Sequence, residues 1–150
     1  MVSKTSKALR MIVMTMLALL ILQYEFGIVV TLADPAAIAP FGLSLAKLST
    51  ALNGAGVAAV IHAGLGTFLA IFAVAGLVLS LRSGIGAVQV FGVLAFITVV
   101  LAVVNGILFV LSGYQNDGVS HGMASMFILT YTFYFLEFYY LKPAPRTPKS

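Results

Sequence analysis

Four long apolar runs, separated by short polar joints, constrain the fold of this chain more than any other feature of its sequence. A helix needs about 20 predominantly apolar residues to cross the hydrocarbon core of a bilayer, and each run is long enough. The runs cover residues 11–33, 56–81, 85–112 and 119–141. Because most of the joints are tight, consecutive helices are expected to pack as antiparallel neighbours. The sequence therefore predicts an all-α integral membrane protein, a single domain built as a four-helix antiparallel bundle.

The composition points to the same class of protein. Of the 150 residues, 61% are hydrophobic and only 8% are charged, whereas a soluble domain is about 45–50% apolar. Lys4, Lys7 and Arg10 precede the first run as they would in a secretory signal. The run itself is about twice as long as the apolar part of a signal peptide, so we expect it to be a retained helix. The chain contains no cysteine, which excludes disulfides and thiolate metal sites.

The distribution of basic residues predicts the orientation of the bundle. All but Lys47 lie on one side of the predicted membrane, at Lys4, Lys7, Arg10, Arg82, Lys142, Arg146 and Lys149. By the positive-inside rule both termini are then cytoplasmic, in a multi-pass protein of the plasma membrane. The net charge of +4 is explained by this topology and by anionic lipid, and it gives no support to nucleic-acid binding.

Two segments fall outside the predicted spans. Residues 34–55 form the one sizeable connection, an outer loop with leucines at 43, 45, 48 and 52. This spacing is compatible with a short amphipathic helix on the membrane surface and also with an ordered interfacial loop. The tail from 143 to 150 is rich in proline and polar residues, and we expect it to be disordered.

The chain has only two histidines, His62 and His121, and both lie near the outer ends of predicted spans. Imidazole is costly in hydrocarbon unless it is paired, solvated or bound to a metal. The second and fourth helices run in the same direction, and the two depths differ by only about 6 Å. The histidines are therefore predicted to face each other across the bundle. The alternative is that each histidine reaches the headgroups or hydrogen-bonds a neighbouring helix.

A facing pair of imidazoles in a chain without cysteine fits the axial ligation of a haem iron better than a tetrahedral zinc site. His62 and His121 are thus the predicted metal ligands of a haem b. Small or polar residues nearby complete the predicted cofactor-binding set, namely Gly66, Gly122, Ser125 and Asn105. Small residues let a backbone approach a flat ligand closely, although they also serve ordinary packing between membrane helices.

Two glutamates lie within the predicted spans. Glu25 is about 12 Å below the outer end of the first helix, close to the level of His62. As a catalytic candidate it would orient an imidazole or relay a proton, and as a structural residue it would bond a neighbouring helix. Glu137 lies among tyrosines near the inner end of the fourth helix, where we expect an aromatic belt and a headgroup anchor.

This pattern resembles one half of the heme A synthase family, whose typical members contain two four-helix halves in tandem. The likeness runs over nearly the whole chain and rests on Gly27-Ile28-Val29-Val30-Thr31, Ile61-His62, the run from Asn105 to Val110, and Ser120-His121-Gly122. The resemblance implies a haem site between the second and fourth helices, with haem O as substrate and haem A as product. It also implies a homodimer, because a single half lacks its companion, or a subunit of a respiratory oxidase complex.

The chain departs from the catalytic members of that family beside His62. They carry an acidic residue three positions earlier and an arginine just after, where this chain has Ala59 and Ala63. Three hypotheses for the function follow. The chain is a haem-binding protein of the respiratory chain, either a compact synthase that uses another acid or an electron-transfer relative. Alternatively, it is a cofactor-free structural or assembly subunit, or a small-solute or proton carrier.

Overall fold

The computed structural model describes residues 4–32, 50, 52 and 54–141. Within these residues the chain forms four long helices: α1 (Lys4–Leu32), α2 (Val57–Leu81), α3 (Gly86–Leu111) and α4 (Asp117–Tyr140). Thr50, Leu52 and Gly54 are also helical. The prediction of an all-helical chain with four helices is confirmed, with α1 beginning seven residues before its predicted span. Most of the predicted outer loop and the whole of the predicted disordered tail lie outside the described residues.

Proline and glycine positions explain where the helices form and where the chain turns. All five prolines lie outside the four helices, whose interiors would lose a backbone hydrogen bond at each one. Gly84 turns the chain between α2 and α3 with a φ of 71°, and Gly113 does so between α3 and α4 with a φ of 70°. Glycine adopts this left-handed conformation without steric cost. The two turns are short, so α3 runs antiparallel to α2, and α4 runs antiparallel to α3.

The helices form a closed ring in which each one packs against two neighbours. α1 contacts α2 and α4, α3 also contacts α2 and α4, and α2 and α4 lie on a diagonal. One end of the bundle, here called the inner end, gathers the start of α1, the α2–α3 turn and the end of α4. It carries Lys7, Arg10 and Arg82, and the Arg10 guanidinium lies 4.8 Å from the centre of the Phe138 ring. The opposite end is called the outer end.

By length and composition, α1, α2 and α3 are able to cross a membrane. α4 is less apolar, but its 24 residues span about 36 Å. It packs along the whole of α3, from the Phe91–Tyr140 ring pair through the Thr98–Thr130 hydroxyl pair to the contact of Gly106 with Met123. α4 therefore occupies the same layer as the three apolar helices. Membrane insertion of α4 and the cytoplasmic location of the inner end stay predictions.

The buried core is concentrated in the inner half and the middle of the bundle. α1 contributes residues three and four positions apart, a spacing that places them on one helical face. The buried residues of this core, from the four helices and the residue directly after α4, are Leu9, Val13, Met16, Leu20, Leu69, Ala73, Val88, Ala95, Val99, Tyr134 and Leu141. Toward the outer end most inward residues are only half-buried, including Gln23, His62 and Asn105. The bundle is therefore packed more closely at its inner end than at its outer end.

Candidate functional site

His62 lies on the inward face of α2, three residues after the buried Ala59 and seven before the buried Leu69. Its Nε2 is hydrogen-bonded to the amide Nε2 of Gln23 on α1, at 3.1 Å. The donor and acceptor roles in this bond depend on the tautomer of the imidazole. Nδ1 of His62 and Oε1 of Gln23 are buried, and neither has a partner among the described residues. The ring lies against Gly27, where a Cβ would come within 3.1 Å of Cε1.

His121 has the opposite orientation. It lies in the first turns of α4, and its side chain is exposed. At 3.6 residues per turn it is on the face opposite the buried Thr130, Tyr134 and Glu137. Because His121 points away from the bundle interior, toward which His62 points, the structure does not bring the two imidazoles into a common space. The predicted facing pair is therefore not the arrangement that the described residues adopt.

The other residues predicted to line a cofactor do not lie together either: one is near His62, and the others are on or beside α4. A Cβ on Gly66 would lie 3.3 Å from the Gln23 amide nitrogen, so Gly66 belongs with His62. A Cβ on Gly122 would lie 3.3 Å from Oδ1 of Asn105, whose Nδ2 donates to the Leu101 carbonyl at 2.9 Å. Ser125 is exposed, like His121. A haem held by both histidines within one chain does not fit this arrangement, although His62 keeps a ring nitrogen without a partner. Ligation by the pair stays a prediction.

Glu25 does not lie against the His62 imidazole, which it was predicted to orient. Its side chain is exposed on the outward face of α1. Gln23, two residues earlier, is the α1 residue that bonds the imidazole of His62. The catalytic assignment of Glu25 stays a prediction, and it now concerns a carboxyl on the outer surface of the bundle.

The structure places Glu137 in the interior of the bundle, so the expectation of a headgroup anchor is wrong. Glu137 is 0% exposed, and Tyr134, one turn away, is 1% exposed. The carboxyl oxygen Oε1 is hydrogen-bonded to the hydroxyl of Ser80 near the end of α2. The other oxygen, Oε2, is buried and has no partner among the described residues. Glu137 is thus a carboxyl group held inside the bundle.

Ser80 also contacts a second acceptor, the carbonyl oxygen of Gly76, at 2.7 Å. A serine hydroxyl carries a single hydrogen, so it cannot donate to Gly76 and to Glu137 at once. When Ser80 donates to Gly76, the bond between Ser80 and Glu137 requires a proton on the carboxyl. When Glu137 is ionised, Ser80 donates to the carboxylate instead. The pair therefore keeps its hydrogen bond in both protonation states.

Close packing of α2 on α3 holds this pair in place. A Cβ on Gly92 of α3 would lie 2.5 Å from both Cβ and Oγ of Ser80, and 3.2 Å from Oε1 of Glu137. Real Cβ atoms do not make contacts as short as 2.5 Å, so only glycine fits between the two helices here. The Tyr134 hydroxyl points toward Gly76 on α2, 3.8 Å from where a Cβ would be. Three helices thus enclose one carboxyl group.

The residues around Glu137 explain why its buried position could not be predicted from the sequence. Aromatic residues flank it at Tyr131, Tyr134, Tyr139 and Tyr140, a pattern typical of a membrane interface. The informative signal was on other helices. Ser80, Gly76 and Gly92 are small residues that lie at about the same depth as Glu137, and small residues mark close helix contacts.

No family model, curated protein or solved structure matches this chain. The likeness to the heme A synthase family therefore rests only on the residues quoted above and stays a prediction.

Proposed function

We propose that this chain is a membrane protein that binds and releases a proton at Glu137. The observation that carries the proposal is the complete burial of this carboxyl, with one oxygen on Ser80 and the other without a partner among the described residues. Carboxyl groups inside membrane bundles are rare, and those that occur mark proton relays and ion pathways. A bare carboxylate is costly away from water, so the site favours exchange between a neutral form and a hydrogen-bonded anion.

The surroundings of Glu137 favour a proton over a metal ion. Calcium takes about 6–8 oxygen ligands, and magnesium requires near-octahedral coordination. The polar groups bonded to one another here are the Glu137 carboxyl, the Ser80 hydroxyl and the Gly76 carbonyl. No group of three histidine or acidic side chains suited to a metal ion occurs in the described part of the chain. Glu137 lies only about 5 Å from the end of α4, which favours exchange with the inner side.

Infrared spectroscopy of the purified protein in liposomes tests the proposal directly. As the pH is stepped from acid to alkaline, the C=O stretching band of a protonated carboxyl is expected to disappear reversibly. Glu137→Gln should remove this band from the difference spectrum, because the amide does not titrate. Glu25→Gln is the matched control, a glutamate on the exposed surface of another helix, and it should leave the Glu137 band in place.

Proton movement provides the functional measurement. Liposomes loaded with a pH-sensitive dye and given a potassium diffusion potential should acidify or alkalinise faster with the wild-type protein than without it. Glu137→Gln should reduce this rate to that of empty liposomes. If Glu137→Gln keeps both the titrating band and the proton flux of the wild type, Glu137 is not a proton-binding group and the proposal is lost.

A second candidate function, haem b binding, is favoured by the unpartnered Nδ1 of His62 beside Gly27. The protein should then be purified from cells supplied with haem, and its reduced and oxidised absorption spectra compared. Sharp α and β bands that are lost in both His62→Ala and His121→Ala would support ligation by the pair, with a helix arrangement different from the one described. A colourless protein would remove this candidate. Conversion of haem O to haem A, with Glu25→Gln as the comparison, tests synthase activity in the same way.

A further inference from the structure

Two ionisable side chains face away from the bundle on neighbouring helices. Glu25 on α1 and His121 on α4 are both exposed, and neither makes a hydrogen bond or an ion pair within the described residues. Ionisable residues that face lipid are rare, because such groups almost always pair with one another or face a protein interior. A partner from outside the chain would therefore satisfy both residues.

α1 and α4 form one side of the ring, so the two residues flank the same face of the bundle. The Tyr24 and Phe127 rings, one and six residues away from them, stack between the two helices with centres 4.9 Å apart. Glu25 lies seven residues from the outer end of α1, and His121 lies four residues from the outer end of α4. At 1.5 Å per residue their depths are about 10 Å and 6 Å, a difference that the two side chains can span.

We propose that a second copy of this chain docks on the α1/α4 face through two reciprocal pairs, each joining Glu25 of one copy to His121 of the other. A two-fold axis along the membrane normal, beside this face, sets α1 of each copy opposite α4 of the other copy. The same contact then forms twice, as a two-fold interface requires. The acid and the base are complementary in charge and in hydrogen bonding. This inference does not depend on the proposed role of Glu137.

The surface around the two residues is apolar, with large exposed side chains beside Glu25 at Ile21, Leu22, Ile28 and Val29, and with smaller residues farther along α1 and beside His121. Ala18 lies seven residues before Glu25, and Ala124 and Ser125 lie three and four residues after His121, so each shares a helical face with its ionisable neighbour. All three are small and exposed. The small residues beside His121 let α4 of one copy approach the other copy closely, and the apolar side chains beside Glu25 supply packing contacts.

Cysteine cross-linking tests the proposal without background, because the chain contains no cysteine. Glu25→Cys and His121→Cys are placed in separate, differently tagged copies, expressed together, and oxidised in native membranes. We expect a disulfide-linked dimer that carries both tags. Val60→Cys on α2 and Val104→Cys on α3 are the matched controls, 45% and 46% exposed on helices outside the proposed face. Absence of the mixed dimer, or equal cross-linking of the controls, would overturn the proposal.

An exchange of the two residues tests the pairing itself. In lipid bilayers, Glu25→Gln and His121→Gln should each weaken the dimer, by about tenfold for an interhelical polar contact. The double variant Glu25→His with His121→Glu should restore dimerisation, since both pairs re-form with their members reversed. Single-molecule photobleaching counts the copies. A monomeric wild-type protein, or single variants that dimerise as well as the wild type, would contradict the inference, and circular dichroism checks that each variant is folded.

Discussion

The two ends of the bundle differ in the burial of their polar residues. At the inner end, Glu137 and Ser80 are fully buried and bonded to each other between three helices. At the outer end, Glu25 and His121 are exposed, and the Gln23–His62 pair is only half-buried. Both ends lie within similarly apolar helices, so depth along the helix does not determine the environment of a polar side chain. The helical face on which it lies, and the size of the residues opposite, determine that environment.

The largest expected loss of stability comes from adding one methyl group at the inner end. In Gly92→Ala the new Cβ would overlap Ser80 and approach Glu137. Forcing extra volume into a packed core costs about 1–3 kcal/mol, and we expect a value near the upper limit because α2 must move away from α3. The free energy of unfolding is measured by circular dichroism during titration with a denaturing detergent. Gly64→Ala is the control, since a Cβ there meets nothing within 4 Å. Equal stability of the two variants would mean that the inner end is not closely packed.

The next largest loss of stability is expected from removing one hydroxyl group at the inner end. Ser80→Ala leaves the Glu137 carboxyl buried with no hydrogen-bond partner for either oxygen, which costs about 1–3 kcal/mol. We expect about 2 kcal/mol in the same unfolding assay, together with a shift of the titrating carboxyl band. Ser125→Ala removes an exposed hydroxyl at the outer end and should change stability by less than about 0.5 kcal/mol. A Ser80→Ala protein as stable as Ser125→Ala would show that the buried pair contributes little.

The smallest loss of stability is expected from adding a methyl group at the outer end. In Gly27→Ala the added Cβ would come within 3.1 Å of Cε1 of His62, a contact that a shift of the ring by a few tenths of an ångström relieves. We expect a loss below about 1 kcal/mol, at the low end of overpacking costs. The imidazole signals of His62 in a nuclear magnetic resonance spectrum should shift, while those of His121 should not. A loss as large as that of Gly92→Ala would contradict the view that the outer end is loosely packed.

The apolar runs were sufficient to predict the helices, because length and hydropathy alone determine which segments can cross a bilayer. They did not reveal which face of each helix is turned inward. In a soluble bundle the polar face marks the outside, but the outer surface of a membrane bundle is also apolar, as exposed Leu22, Ile71 and Val100 illustrate. The outward direction of His121 and the inward direction of Glu137 therefore could not be derived from periodicity. Both depend on contacts between helices that are distant in sequence.

The ring closes with the first helix beside the last, and this arrangement has a consequence for the way the chain can be extended. α1 begins and α4 ends at the same end of the bundle, where Arg10 of α1 lies over the Phe138 ring of α4. An even number of antiparallel helices returns the polypeptide to the side from which it started. Two such units joined end to end by a short linker would therefore enter a bilayer in the same orientation, with neither unit inverted. Tandem fusion is thus a topologically simple route from one bundle to a protein of twice the size.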